Sequence, residues 1–148
     1  MTETPYSGIE RRRHTDRMVY ELLQERKQMW ALYWEVAKLK PFDQNQAALR
    51  ETLARFCQLM IDYISLGHFG IYHRIVSGTE RRQRVIHAAQ ALYPEIAQAT
   101  EIALKFNDLY ENQNLSDPAV LARELSKLGE ALAKRIELED RLIETLSK

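Results

Sequence analysis

Residues 46–76, QAALRETLARFCQLMIDYISLGHFGIYHRIV, decide the fold of this chain. Asp43 and Asn45 stand just before the stretch and can cap a helix there. Apolar residues then recur at helical spacing in two adjacent strips: Leu49, Leu53, Phe56, Met60, Tyr63 and Ile71, with Cys57, Ile61, Ile64, Tyr72 and Ile75 beside them. An apolar surface this wide is typical of a helix that packs against two or three neighbours inside a bundle.

The rest of the chain predicts further helices and no strands. Apolar spacing, caps and prolines place them at residues 15–39, 80–92, 94–110 and 118–146. Residues 1–14 lack this spacing and end in a basic cluster, so we expect a mobile N-terminal arm there. The prediction is therefore an all-α, single-domain antiparallel bundle of four to five helices over residues 15–148.

Composition narrows the class of protein. The 148 residues fit one domain, and 21 Lys plus Arg balance 21 Asp plus Glu, which argues against a dedicated nucleic-acid binder. The single cysteine, Cys57, cannot form an internal disulfide, and no stretch reads as a signal peptide or membrane span. We therefore expect a cytoplasmic protein that contacts neither nucleic acid nor membrane directly.

Polar residues interrupt the predicted apolar stripes. Arg26 stands where the first helix should be apolar, and Arg135 and Glu139 do the same in the last helix. His68 lies beside the apolar strip of the second. Because buried charges must be paired, we interpret four residues as a polar layer whose members pair and hydrogen-bond with one another: Arg26, His68, Arg135 and Glu139. Two alternatives remain: an anion pocket held by the two arginines, as in a small helical mutase or lyase, or edge positions that reach solvent.

The side of the second helix opposite its core carries a different pattern. A projection at 100° per residue places Asp62, Leu66, Phe69 and His73 there together. A solvated helix face does not normally repeat Leu and Phe. Either the third helix covers these residues, or they form a partner-binding patch around a carboxylate.

Other site chemistry finds no support in the sequence. The four histidines share no metal-ligand spacing, and no Glu-x-x-His motif of a di-iron bundle occurs. Cys57 lies in an apolar strip and is interpreted as core packing. No Gly-rich phosphate loop is present. We expect no metal, no cofactor and no catalytic residue.

A resemblance to a known family rests on motifs spread along the chain. The run FCQLMIDYISLGHFGIY at residues 56–72 resembles the signature of the Rsd/AlgQ regulators of sigma factor. So do LQER at 23–26, YP at 93–94, LGE at 128–130 and RIELEDRLI at 135–143. These motifs keep their order and spacing from about Val19 to Leu146.

The resemblance implies an anti-sigma regulator rather than an enzyme. Its partner would be the C-terminal, promoter-reading domain of the housekeeping sigma factor, which it would keep from core RNA polymerase or promoter DNA; core RNA polymerase is the second candidate partner. Asp62, Leu66, Phe69 and His73 would be the sigma-binding residues, because a basic DNA-reading domain should meet a carboxylate beside apolar anchors. The alternatives are a small helical enzyme with an anionic substrate, or a binding module for another regulatory protein.

Overall fold

The computed structural model describes residues 8–76, 80–112 and 117–146, apart from the side chains of residues 8–11, 69, 74 and 76. Every regular element in these ranges is helical: α1 (Gly8–Ala37), α2 (Gln46–Gly67), a π-helical segment (His68–Tyr72), α3 (His73–Val76), α4 (Gln83–Tyr110) and α5 (Pro118–Leu146). The all-α prediction is confirmed. The first, second and last helices each exceed 20 residues, as predicted.

Contacts between helices show that neighbours run antiparallel. In α1 and α5, Arg26 meets Glu139, whereas Tyr33, further along α1, meets Leu125, which lies earlier in α5. The four long helices enclose one apolar core. Its fully buried members include Leu22, Met29, Leu53, Phe56, Met60, Leu128 and Leu132.

The first helix begins earlier than the sequence indicated. The predicted start at Thr15 or Asp16 is wrong, because α1 already includes Gly8. The cluster at residues 10–13 is Glu and Arg, which favour helix, so nothing in it stops the helix from extending. Residues 1–7 of the predicted arm lie outside the described residues, and the mobility of the arm stays a prediction.

The second helix does not continue unchanged to Val76. Its hydrogen-bond pattern widens at His68, and the N–H of His73 donates to the carbonyl of His68, five residues back. Gly67 directly precedes this widened turn and Gly70 lies within it; Gly70 lets α1 approach closely, since a Cβ there would fall on the end of the Met18 side chain. Of the two roles predicted for these glycines, close helix contact is observed at Gly70, whereas a Cβ at Gly67 would meet its neighbours at the ordinary contact distance of 3.4 Å.

The predicted third and fourth helices are one helix. Pro94 lies inside α4 rather than at the start of a new helix. It has no N–H to donate, and an interior proline costs about 3 kcal/mol. Buried residues on both sides of it, such as Val85 and Ala89 before and Ile96 and Ala103 after, hold the two halves against the same core. The prediction of a break at this proline is wrong because tertiary packing outweighs the local cost.

The last helix follows its prediction closely. Asp117 caps it, with Oδ1 accepting a hydrogen bond from the backbone N–H of Ala119 at 3.0 Å. Pro118 then occupies the first helical position, where its missing N–H costs nothing.

Gly129 tests how tightly α5 packs against Tyr33 of α1. A Cβ at this position would fall on the hydroxyl and ring of Tyr33, which stacks on Trp30 and hydrogen-bonds to the carbonyl of Leu125 at 3.0 Å. Because that ring cannot move freely, we expect Gly129→Ala to lower the free energy of unfolding by about 1–2 kcal/mol, despite the better helix propensity of alanine. Chemical denaturation measures this.

Gly70→Ala is the matched control for that substitution. Its added Cβ also meets another side chain, but the atom it meets is the flexible end of Met18. We expect a change of less than about 1 kcal/mol there, since Met adapts its rotamer easily. Equal losses at the two glycines would contradict the role assigned to the rigid Tyr33 ring.

Candidate functional site

A polar network crosses the middle of the bundle and is centred on Glu139. This residue is 1% exposed, and its Oε1 accepts hydrogen bonds from Arg26 Nη2 at 2.8 Å and from the Tyr63 hydroxyl at 2.5 Å. Its Oε2 accepts one from Arg135 Nη1 at 2.9 Å. Helices α1, α2 and α5 therefore meet at one carboxylate.

The two arginines have further partners. Arg26 Nη1 lies 2.7 Å from Asp140 Oδ1 at the surface end of the network. Arg135 is 1% exposed; its Nε donates to Thr100 Oγ1 at 3.2 Å, and its guanidinium lies 5.2 Å from the centre of the Tyr63 ring. This second set ties α4 to the other three helices.

Electrostatics fixes the protonation of these groups. Burial alone would lower the pKa of Arg26, but its hydrogen bond to Glu139 and the charges nearby raise it overall, and the pKa of Arg135 is raised for similar reasons. Burial, followed by the charge of Glu139, raises the pKa of Tyr63. Both arginines are therefore charged, and Tyr63 is a neutral donor to the carboxylate.

The structure brings together three of the four residues predicted for the polar layer. Arg26, Arg135 and Glu139 are in direct contact, while the side chain of His68 is exposed, so its predicted interior position is wrong. His68 is the first residue of the π-helical segment and lines a groove together with residues of α4, where a side chain can reach solvent. Thr100 and Asp140 also belong to the network and were not predicted, although Thr100 is visible in the sequence as a polar residue between the core residues Ile96 and Ala103.

Tyr63→Phe tests the network without changing its shape. It removes the hydroxyl that donates to Glu139 but keeps the ring, and a hydrogen bond to a charged group commonly contributes about 1.5–3 kcal/mol. Since Arg26 still satisfies the same oxygen, we expect a loss near 1.5 kcal/mol in urea denaturation. Tyr20→Phe, at a 64% exposed position, serves as the control and should change almost nothing. Equal stability of the two variants would contradict the importance of the Tyr63 bond.

The second group of predicted residues spans three elements: Asp62 and Leu66 lie on α2, Phe69 in the π-helical segment and His73 at the start of α3. Asp62 and His73 have exposed side chains, and Leu66 is half-buried against the core. Asp62 Oδ1 accepts a hydrogen bond from Gln58 Nε2 at 3.0 Å, one turn earlier on the same helix. The side chain of Phe69 lies outside the described part of the structure. The face thus presents a carboxylate next to a partly buried leucine.

The remaining observations concern the cysteine, metal ligands and the apolar character of the helices. Cys57 is 1% exposed, and burial raises the pKa of its thiol to about 12, so it packs in the core as predicted. Within residues 8–76, 80–112 and 117–146, no three His, Cys, Asp or Glu side chains lie close enough to hold a metal ion. None of the helices in these ranges is both long and apolar enough to cross a membrane.

Comparisons with known proteins match the whole described bundle. The family model described as "Regulator of RNA polymerase sigma(70) subunit, Rsd/AlgQ" matches residues 1–147. A protein of Yersinia pseudotuberculosis serotype O:1b (strain IP 31758), named "Regulator of sigma D", is 33% identical over 134 residues, covering 88% of this chain and 79% of that protein.

A second relative gives the same result from another organism. The "Regulator of sigma D" of Enterobacter sp. (strain 638) is 35% identical over 132 residues, covering 87% of this chain and 79% of that protein. No solved structure matches the chain at comparable significance. The match of the family model over nearly the full chain, together with these relatives, shows that the chain belongs to the Rsd/AlgQ family of regulators of the RNA polymerase sigma(70) subunit.

Proposed function

We propose that this regulator acts by binding the C-terminal, promoter-reading domain of the housekeeping sigma factor through the outer face of α2. The observation that carries the proposal is the exposed carboxylate of Asp62, one helical turn from the half-buried Leu66. We include Phe69, in the π-helical segment, and His73, the first residue of α3, from their positions in the sequence. Binding there would keep the sigma factor from core RNA polymerase or from promoter DNA.

The charge of the partner supports this choice of surface. A domain that reads promoter DNA carries basic residues for phosphate, so its binding partner should offer carboxylates with apolar anchors beside them. Asp62 supplies the charge. Leu66 supplies apolar surface, and its packing against the core already restricts its side chain before a partner binds. A desolvated charge pair surrounded by apolar contacts is a common centre of binding energy in protein interfaces.

The polar network supports a regulator rather than an enzyme. A mutase-like site would need both guanidinium groups open to a substrate, but Arg26 and Arg135 are each bound to Glu139. We therefore assign Arg26, Arg135 and Glu139 a structural role in fixing how the helices pack, and we propose no catalytic residue and no cofactor. As a regulator of a sigma factor, the protein would act in the cytoplasm, with core RNA polymerase as a further possible partner.

The experiment is a pull-down from bacterial lysate followed by reconstitution with purified proteins. We expect the housekeeping sigma factor to be the main captured band. The purified full-length sigma factor should co-elute with the protein in gel filtration, whereas a form that lacks the C-terminal domain should not. Capture of a different regulatory protein, with no binding to purified sigma factor, would contradict the proposal.

A further inference from the structure

One end of the bundle concentrates arginine. Residues 8–17 and 73–87 contain eight of the fourteen arginines of the chain, three acidic residues and no lysine. The fold brings these two segments to the same end, because Thr15 and Glu80 line one small cavity together with Leu146, the last residue of α5. The net charge of zero therefore hides an uneven distribution, with a clear positive excess at this end.

Part of this charge is balanced within the protein. Arg82 Nε lies 3.1 Å from Glu80 Oε2, and Arg82 Nη1 donates to the carbonyl of Leu146 at 3.0 Å. These contacts tie the start of α4 to the end of α5, which gives Arg82 a structural role. Asp16 and Glu144 are two further acidic residues at this end, so arginine remains in excess.

Four other arginines at this end have exposed side chains, and none of the four has an ion-pair partner among the described residues: Arg12, Arg13, Arg17 and Arg81. Arg13 and Arg17 lie one turn apart on the same side of α1. Clustered like charges repel one another, so this surface favours a partner that carries dense negative charge. Arginine in particular suits phosphate and carboxylate groups, because its planar guanidinium donates two parallel hydrogen bonds.

The lack of apolar anchors indicates which kind of polyanion fits. Protein interfaces draw most of their binding energy from a few large, mainly aromatic residues, and single-stranded nucleic acids stack their bases on exposed aromatic rings. Within the described structure, no large exposed apolar side chain lies at residues 12–17 or 80–87, and the nearest in sequence is Tyr20. Duplex DNA requires neither feature, since its phosphates supply nearly all of the non-specific binding energy.

We propose that this arginine-rich end binds the backbone of double-stranded DNA without sequence preference. The four exposed arginines would contact phosphates, while Arg82 keeps the end of the bundle together. The neutral net charge argues only against a dedicated nucleic-acid binder, whereas the proposed contact is weak, local and sensitive to salt. The proposal replaces the expectation that the protein contacts no nucleic acid, and it does not depend on the proposed binding of sigma factor.

The test is a fluorescence-anisotropy titration of the full chain into a labelled duplex of about 20 base pairs. We expect a dissociation constant of about 10–100 µM at about 50 mM salt. Four phosphate contacts predict that the affinity falls about a hundredfold when the salt is raised to about 200 mM. A duplex of scrambled sequence should bind equally well, because phosphate contacts carry no sequence information.

Two pairs of substitutions locate the contact. Arg13→Gln combined with Arg17→Gln should weaken binding at about 50 mM salt by about tenfold, and should make the dependence of log affinity on log salt shallower by about 2. The control combines Arg50→Gln with Arg123→Gln. It removes the same charge from exposed positions near the starts of α2 and α5, at the opposite end of the bundle, and should bind DNA within about twofold of the unmodified protein.

Two competing polyanions complete the test. Poly-glutamate of about 40 residues carries a charge similar to that of the duplex and represents an acidic protein, and a single strand of about 20 nucleotides has a lower charge density. Both should bind more weakly than the duplex. The proposal is overturned if the duplex does not bind at about 50 mM salt, if the two paired variants bind it equally well, or if either competitor binds more tightly than the duplex does.

Discussion

Glu139→Leu is expected to lower the free energy of unfolding by about 3–5 kcal/mol. The substitution removes the carboxylate that Arg26, Arg135 and Tyr63 share, and it leaves the fully buried Arg135 without a counter-charge. Leucine supplies apolar contacts but cannot accept a hydrogen bond, so the penalty for the stranded guanidinium remains. Urea denaturation at neutral pH, followed by circular dichroism, measures the loss.

Glu137→Leu makes the same change two residues away on the same helix. Glu137 is 56% exposed and pairs only with Arg141 among the described residues, at 3.0 Å. Exposed ion pairs of this kind contribute about 0–1 kcal/mol, so this control should stay close to the unmodified protein. If Glu139→Leu is as stable as this control, the network does not hold the bundle together and the structural role proposed for it is wrong.

Asp62→Ala is expected to weaken binding of the housekeeping sigma factor by one or more orders of magnitude. Truncating one partner of a desolvated charge pair commonly costs about 2–5 kcal/mol, because an arginine of the sigma factor would then be buried unpaired. The melting curve should hardly change, since the Asp62 side chain is exposed and the hydrogen bond it makes within the described structure is to Gln58 on its own helix. Isothermal titration calorimetry with full-length sigma factor measures the effect.

Asp108→Ala is the matched control for Asp62→Ala. It also removes an exposed aspartate from a helix, but from α4 rather than from α2. It should bind sigma factor with the affinity of the unmodified protein. A well-folded Asp62→Ala protein that binds as tightly as this control would contradict the assignment of the α2 face.

The sequence is informative where the hydrophobic pattern is strong. The stripes of residues 46–67 and 118–146 fall almost entirely in the core, because burial of a periodic apolar face dominates helix packing. The apolar stripes also predict that Arg26, Arg135 and Glu139 pair with one another, since a charge inside an apolar stripe has to be paired in the interior.

Other features depend on tertiary structure that local rules do not contain. The sequence predicts that a helix starts at Pro94. In the structure, packing of both halves of α4 against the core keeps the helix continuous through this proline. The π-helical turn at His68–Tyr72 leaves no mark in the apolar spacing, and whether His68 is exposed depends on which helices pack beside it. The groove of about 340 Å³ beside Tyr72 could not be predicted either, because residues of α2, the π-helical segment, α4 and α5 line it.

The most direct test of the central claim is a cross-saturation NMR experiment on the labelled protein with the unlabelled C-terminal domain of the housekeeping sigma factor. It reports which amides lie against the partner without requiring a substitution. We expect saturation to concentrate in residues 58–73, around Asp62 and Leu66. Saturation concentrated on α4 and α5, with residues 58–73 unaffected, would contradict it.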